Sequence, residues 1–373
     1  MTDAFAARAL AWFDQHGRRD LPWQRSDASG RRDAYRVWLS EVMLQQTQVA
    51  TVIGYFERFV AALPTVRALA GADEDTVFAL WSGLGYYRRA RHLHRAAQMC
   101  MERHGGELPA DFDALCALPG IGRSTAGAIL AQAFGQRFPI LDGNVKRVLA
   151  RYHGIAGYPG VATVERQLWQ YADTHTPAAR VTDYTQAIMD LGATVCTRPQ
   201  PRCAICPLAA DCIARRDGLT AILPTRKAAR TVPTRNTLML VLRDAFGRVL
   251  LERRGPQGVW SGLWSLPEAT DLTDAQRVAQ NRAQVALWQP LDDFSHQFTH
   301  YRLHVTPLLF DHASARSRVA DTHDLRWCTR ADIAALGLPT PVRRLLLQIS
   351  DAPRADVQHG RSTANATSAP EPT

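Results

Sequence analysis

Two carboxyl groups and four thiols in this 373-residue chain have the types and spacing for chemistry. Glu41 lies in the segment VWLSEVMLQQ. On a helix its neighbours three and four positions away are Val37, Trp38, Leu44 and Gln45. A carboxyl among aliphatic and indole surface is poorly hydrated. Its pKa therefore rises toward neutrality, and it can hold a proton at working pH and deliver it. Asp142, in LDGNVKRV, precedes an apolar helical pattern of Val145, Val148, Leu149 and Tyr152 and is placed to cap that helix. A capping carboxylate accepts backbone N–H bonds at the positive helix end, so its pKa is expected to fall and the group to stay anionic. One acid that keeps its proton beside one that stays charged suits a general acid paired with a cation stabiliser. Cys196, Cys203, Cys206 and Cys212 form C-x6-C-x2-C-x5-C within seventeen residues. Four thiolates this close can surround one metal centre. A single CxxC pair, where zinc ribbons usually have two, favours a [4Fe–4S] cluster, with zinc as the alternative.

Positioning these groups calls for helices and tight turns. Val42, Val49, Ile53, Phe56 and Val60 recur at helical spacing and predict one amphipathic helix through Val37–Val60. In LCALPGIGRSTAGAI, two apolar helical segments flank Pro119-Gly120-Ile121-Gly122, a turn tight enough to require glycine. The amides of that turn and of the following helix then point outward together. They would form an anion site for one phosphate, with Arg123 adding charge. Arg198 and Arg202 in the first intercysteine loop would make the metal centre a small basic knob.

The bulk composition agrees with a polyanionic partner. Net charge is +9, and 46% hydrophobic with 21% charged residues marks a globular protein of two or three domains. Nucleic acid is the first candidate and an anionic membrane surface the second. The N-terminus lacks a basic region followed by a long apolar core, and no apolar run approaches a membrane span, so an intracellular, cytoplasmic protein is expected. Residues 1 to about 217 read as helical. The basic, proline-containing stretch TAILPTRKAARTVPTR reads as a linker. Beyond it Thr237–Arg243 is a β-prone run, a turn at Asp244–Gly247 and a second run Val249–Leu251 follow, and His300–Leu309 alternates. Helical patterns near Asp274–Leu287 and Pro341–Ile349 complete an α+β domain, and the Ser/Thr/Ala/Pro-rich tail reads as disordered.

The hairpin LPGIGRSTAGAI, then LDGNVKRV, then the four-cysteine loop resemble the helix–hairpin–helix DNA glycosylase superfamily. SEVMLQQTQV, WSGLGYYRRARHLH and the long C-terminal domain narrow the resemblance to adenine DNA glycosylases of the MutY type. It implies a helical iron–sulfur domain (1–26 and 139–217), a six-helix barrel with the helix–hairpin–helix (27–138), a linker (218–234), a Nudix-like domain (235–350) and a tail (351–373). It implies hydrolytic removal of adenine mispaired with 8-oxoguanine or guanine in double-stranded DNA, by a nucleoid-associated monomer.

Carried onto this sequence, the resemblance implies that Glu41 protonates the flipped adenine at N7, Asp142 stabilises the sugar cation and Asn144 helps order the site. Leu44, Gln46, Thr47 and Tyr86 would brace the space left in the duplex, and Gln24 and Asp190 would contact the base. Gly120, Gly122, Arg123, Ser124 and Lys146 would lie against DNA. Phe294-Ser295-His296 would inspect 8-oxoguanine. Bifunctional relatives resembling endonuclease III, which act on oxidised pyrimidines, place a lysine nucleophile where this chain has Ser124. A hydroxyl cannot form an imine, so β-elimination is not expected beyond weak trapping through Lys146. No Glu-rich REXXEE helix follows Pro267, so nucleotide hydrolysis is not expected. The alternatives are an endonuclease III-like glycosylase/lyase and a non-catalytic DNA-binding protein.

Overall fold

The computed structural model describes residues 3–227, 231–285, 287–315 and 324–351. The expected tail after 351 lies outside the described residues, as do 228–230 of the expected linker. Fifteen α-helices are described, in the order α1 (Ala4–His16), α2 (Ala34–Leu44), α3 (Val49–Ala62), α4 (Val66–Gly71), α5 (Glu74–Trp81), α6 (Arg88–Arg103), α7 (Phe112–Cys116), α8 (Arg123–Phe134), α9 (Gly143–Tyr152), α10 (Ala162–His175), α11 (Val181–Asp190) and α12 (Ile213–Arg216), then α13 (Leu272–Arg282), α14 (Arg330–Ala335) and α15 (Thr340–Asp351). The twelve N-terminal helices pack around two cores. One is built on Trp38, Phe56, Phe59, Phe78 and Trp81 from α2 to α8. The other is built on Phe5, Leu10, Leu149, Leu168 and Ile188 from α1 and α9 to α11. Leu21 and Trp23 belong to the first core although they fall within 1–26, and Ala128 of α8 packs into the second. The α8 helix is therefore the wall between the two bodies.

The predicted single helix over 37–60 is in fact two. The chain breaks after Leu44, Gln46 takes φ 60, and α3 begins at Val49. The break is stabilised from outside the segment. The Arg89 guanidinium of α6 donates to the carbonyls of Val42, Met43 and Gln45 at 2.9, 2.9 and 2.6 Å, satisfying the C-terminal carbonyls that a continuous helix would have paired. Val42 therefore belongs to one helix, and the stripe Val49, Ile53, Phe56, Val60 to the next.

The C-terminal body holds β1 (Thr234–Leu242), β2 (Val249–Arg253), β3 (Trp264–Ser265), β4 (Glu268–Ala269), β5 (Ala283–Gln284), β6 (Trp288–Pro290), β7 (Phe294–Gln297), β8 (Arg302–Phe310), β9 (Ser314–Ala315) and β10 (Leu325–Cys328). A mixed sheet runs β4-β1-β8-β6 with β7 also on β8, and β1 and β8 are parallel over nine residue pairs. A smaller sheet runs β10-β2-β3. The α13 helix, LTDAQRVAQNR, contains no glutamate, in keeping with the missing REXXEE helix. The α+β reading and the alternation of buried Leu303 and Val305 along β8 are as expected.

The two halves are docked by specific bonds. Asp75 of α5 accepts from Arg253 Nη2 at 2.7 Å and from Trp264 Nε1 at 3.1 Å. Tyr87 Oη donates to the Leu338 carbonyl at 2.8 Å, Arg91 Nη1 donates to Ser261 Oγ at 3.1 Å, and Leu263 is buried in the α2–α8 core.

Candidate active site

Glu41 is presented by the last turns of α2, directly above Val37 and Trp38, which are fully buried. Asp142 is the residue before α9, and its Oδ1 accepts the Val145 amide at 2.8 Å, the cap read from its spacing. The two carboxyls lie close enough that the charge of Asp142 raises the Glu41 pKa. Burial is the larger cause. Together the two push Glu41 up to about 7, against the opposing pull of a hydrogen bond from Gln132. A carboxyl raised this far can hold a proton near neutral pH.

Asp142 corrects the expected direction. Its pKa is raised above the ordinary carboxylate value, because burial outweighs the Val145 amide, Asn144 and the Arg147 charge, all of which lower it. The cap bonds restrain the rise without reversing it. Asp142 is given several donors to its charged form, whereas Glu41 is given one, from Gln132. Asn144 Nδ2 reaches Asp142 Oδ2 at 3.3 Å, and Arg147 Nη2 holds Asn144 Oδ1 at 2.8 Å. Asn144 therefore sits where an ordering residue would be needed. Gly192 packs so tightly on Asn144 that a Cβ there would lie 2.5 Å from the asparagine Cβ.

Gln24 and Asp190 are engaged elsewhere. Asp190 is fully buried and accepts from Arg18 N, Nε and Nη2 and from Gln186 Nε2. The Gln24 amide bridges the Leu21 amide and the Arg18 carbonyl. Both side chains clamp the strap from Arg18 to Gln24. Ser124 Oγ accepts the Leu141 amide at 2.9 Å, and Lys146 Nζ is paired with Glu165 at 2.6 Å.

The turn of the hairpin needs its glycine, since Gly120 has φ 81. Gly122 heads α8 with no side chain capping it, so the first amides of that helix are open to an anion. Arg123 lies over the Trp169 ring at 3.9 Å. Gln46, Tyr86 and Gly120 line one cavity of about 280 Å³ together with Arg88 and His92. Tyr86 is exposed at φ 50, a conformation unusual for a bulky residue. Thr47 and half-buried Leu44 flank the same break, Thr47 through Arg89 Nη2 at 3.3 Å.

Cys196, Cys203, Cys206 and Cys212 are free thiols that line one small cavity. A five-residue π-helix, Leu191–Val195, delivers Cys196. The guanidinium of buried Arg151 anchors the loop, donating to Cys196 Sγ at 3.3 Å and to the carbonyls of Thr197, Arg198 and Leu223. Burial pushes the Cys206 thiol up to about 11. No three His, Cys, Asp or Glu side chains among the described residues are gathered around a point that would hold one metal ion. Arg198 and Arg202 are exposed beside the cysteines, as expected of the basic knob.

Phe294, Ser295 and His296 lie on β7, so their side chains alternate. His296 faces a cleft of about 1080 Å³ between the two halves, shared with Tyr86, Arg91, His92 and Trp260. Its ring is 5.5 Å from Trp260 and 4.7 Å from Phe298. Ser295 turns the other way, toward His304 Nδ1 at 3.2 Å, and Phe294 packs on the core of the sheet. Of the three, His296 is the one placed with the helical half.

Residues 39–173 match the family described as HhH-GPD superfamily base excision DNA repair protein, and residues 237–348 match the NUDIX domain. A curated adenine DNA glycosylase of Buchnera aphidicola subsp. Acyrthosiphon pisum is 34% identical over 343 residues, covering 92% of this chain and 96% of its own. The chain belongs to the adenine DNA glycosylase family. The mouse adenine DNA glycosylase is 35% identical over 408 residues, covering 93% of this chain and 78% of its own. The structure of a thermostable thymine-DNA glycosylase aligns with a TM-score of 0.51 at 26% identity, covering 57% of this chain and 95% of that one. This adenine DNA glycosylase family member is thus a base-excision-repair enzyme that takes DNA as substrate, with an HhH-GPD helical half and a NUDIX half. No helix among its described residues is long and apolar enough to cross a membrane.

Sequence reasoning missed Gln132, Arg32 and Trp260. Gln132 had a signal, since it interrupts the apolar run AILAQAF of α8 and is only 4% exposed. A polar side chain buried in such a run must have a partner.

Proposed function

We propose that this glycosylase hydrolyses the N-glycosidic bond of adenine mispaired with 8-oxoguanine or guanine, with Glu41 as general acid and Asp142 as stabiliser of the sugar cation. The observation that carries the reading is that two half-buried carboxyls, one on α2 and one capping α9, are electrostatically coupled, one of them raised to about 7. An extruded adenine reaching these carboxyls meets a proton on Glu41 and departs as a neutral base. Positive charge develops on the sugar as it leaves. Asp142, held in place by Val145 N–H and Asn144, faces that charge, and water completes the hydrolysis. Tyr86, Leu44, Gln46 and Thr47 fill the vacated stack, while the open amides at the start of α8 take a backbone phosphate. His296, with Trp260 and Phe298, is our candidate for inspecting the opposing 8-oxoguanine.

The four thiols fit a [4Fe–4S] cluster held by Cys196, Cys203, Cys206 and Cys212. Donors spaced around a cavity rather than a point suit a multi-iron group better than one zinc, and Arg151 Nη1 holds Cys196 Sγ in place. When bound, such a cluster would supply cationic iron that keeps the cysteines as thiolates and fixes the loop bearing Arg198 and Arg202. The base-release steps described above involve none of its atoms.

A test is single-turnover release of free base from duplexes carrying A opposite 8-oxoguanine, A opposite G, and thymine glycol. Adenine leaving the first two, with thymine glycol untouched, is the expected outcome. Thymine glycol release with strand cleavage would overturn the proposal in favour of the endonuclease III-like reading.

A further inference from the structure

We infer that Gln132, oriented by Arg32, is a positioning residue that occupies Oε1 of Glu41 and thereby makes Oε2 the oxygen that carries and delivers the proton. The inference rests on Glu41 being the acid. Gln132 Nε2 donates to Glu41 Oε1 at 3.0 Å, and Arg32 Nη1 donates to Gln132 Oε1 at 2.9 Å. An amide of this kind can usually turn over, exchanging donor for acceptor. Here it cannot do so cheaply. A guanidinium has only donors, so turning the amide would set its NH2 against Arg32 and leave a buried carbonyl facing Glu41. Gln132 therefore always offers Glu41 an N–H. Since an N–H needs an acceptor and the carbonyl oxygen of a carboxylic acid accepts better than its hydroxyl, the protonated form of Glu41 favours its hydrogen on the other oxygen.

The same bond stabilises the carboxylate and opposes the two influences that favour the neutral acid, burial and the charge of Asp142. Among the described residues Asp142 is the one charged group that acts on Glu41 directly. Behind Gln132 stands Arg32, itself near Asp183 of α11. Behind Asp142 stands Arg147 of α9, and on α6 the Arg89 charge is turned to the carbonyls ending α2. Among the 3-10 residues Pro22–Gln24, the Gln24 amide is tied to Leu21 and Arg18. Removing Gln132, or freeing it to turn, should thus shift Glu41 in one direction only, toward the protonated state.

The test is the single-turnover rate on an A:8-oxoguanine duplex as a function of pH, with the full-length wild type, Gln132→Leu, Arg32→Met and Arg32→Lys. In Gln132→Leu the alkaline limb should move up by half a pH unit or more, while the plateau falls several-fold because the proton has lost its assigned oxygen. Arg32→Met, which alters a half-buried residue and leaves the core intact, should move the limb the same way by less, and Arg32→Lys should restore it. A limb that stays put in both Gln132→Leu and Arg32→Met, with DNA binding retained, would overturn the inference and reduce Gln132 to packing. If Glu41→Gln instead kept the wild-type rate, the acid assignment itself would fall, whatever the limb does.

Discussion

The Leu141 amide donates to Ser124 Oγ at 2.9 Å, tying the turn that carries Asp142 to the first turn of the hairpin helix. One hydroxyl thus connects the anion site to the catalytic candidate, at the place where a bifunctional relative would carry an amine. Lys146 offers no substitute, because its ammonium is held by Glu165. Borohydride added during turnover should therefore trap no covalent adduct, and the product strand should stay intact until treated with base. Ser124→Ala should lose about 1 kcal/mol of stability and several-fold in rate, since Leu141 N–H is left without its partner. A strong adduct in the wild type, lost in Lys146→Ala, would contradict this.

Glu41 should make stability depend on pH. Below about 4.5 it is protonated in both folded and unfolded chains and has no effect. Above 7 it is charged in both, and the folded chain bears the cost of a poorly solvated carboxylate next to Asp142. Glu41→Gln should accordingly be more stable than wild type at pH 8, by up to about 3 kcal/mol for a rise from 4.5 to 7, and the gain should vanish near pH 4. Thermal unfolding at the two pH values checks the sign.

Asp75 receives both Arg253 and Trp264 from the C-terminal half. Asp75→Ala would strand two donors and loosen the cleft that places His296 near Tyr86. The rate on A:G duplexes should then change little while the preference for A:8-oxoguanine falls several-fold, and His296→Ala should behave alike. Equal losses on both duplexes would mean that the docking serves stability alone.

The cysteine loop makes its own prediction. Chemical analysis of the purified chain should give about four iron and four sulfide per molecule, and Cys203→Ser should lose both together with protease resistance around 196–217. Stoichiometric zinc in place of iron would contradict the cluster.

What the sequence made legible was what depends on local rules. The Asp142 cap, the glycine turn at Gly120, the alternation along β8 and the clustered cysteines are each written within a short stretch, seventeen residues for the cysteines. The rest depends on partners remote in sequence. The break after Leu44 is held by Arg89, forty-odd positions on, so helical periodicity alone ran straight through it. The Asp142 pKa rises because burial outweighs the cap bonds, and only the cap bonds are local in sequence. Gln24 and Asp190, which the resemblance offers as contacts to the base, are engaged by Arg18, a partner that local sequence does not show. The strand at Phe294–Gln297 shows its alternation only once paired with β8.

The most direct measurement is the rate of adenine release under single-turnover conditions on an A:8-oxoguanine duplex by Glu41→Gln and Asp142→Asn, alongside their affinity for the same duplex. Two carboxyls dividing the proton and the cation between them predict losses of roughly a hundredfold or more in each variant with binding preserved. Near-wild-type release by either variant would contradict that account.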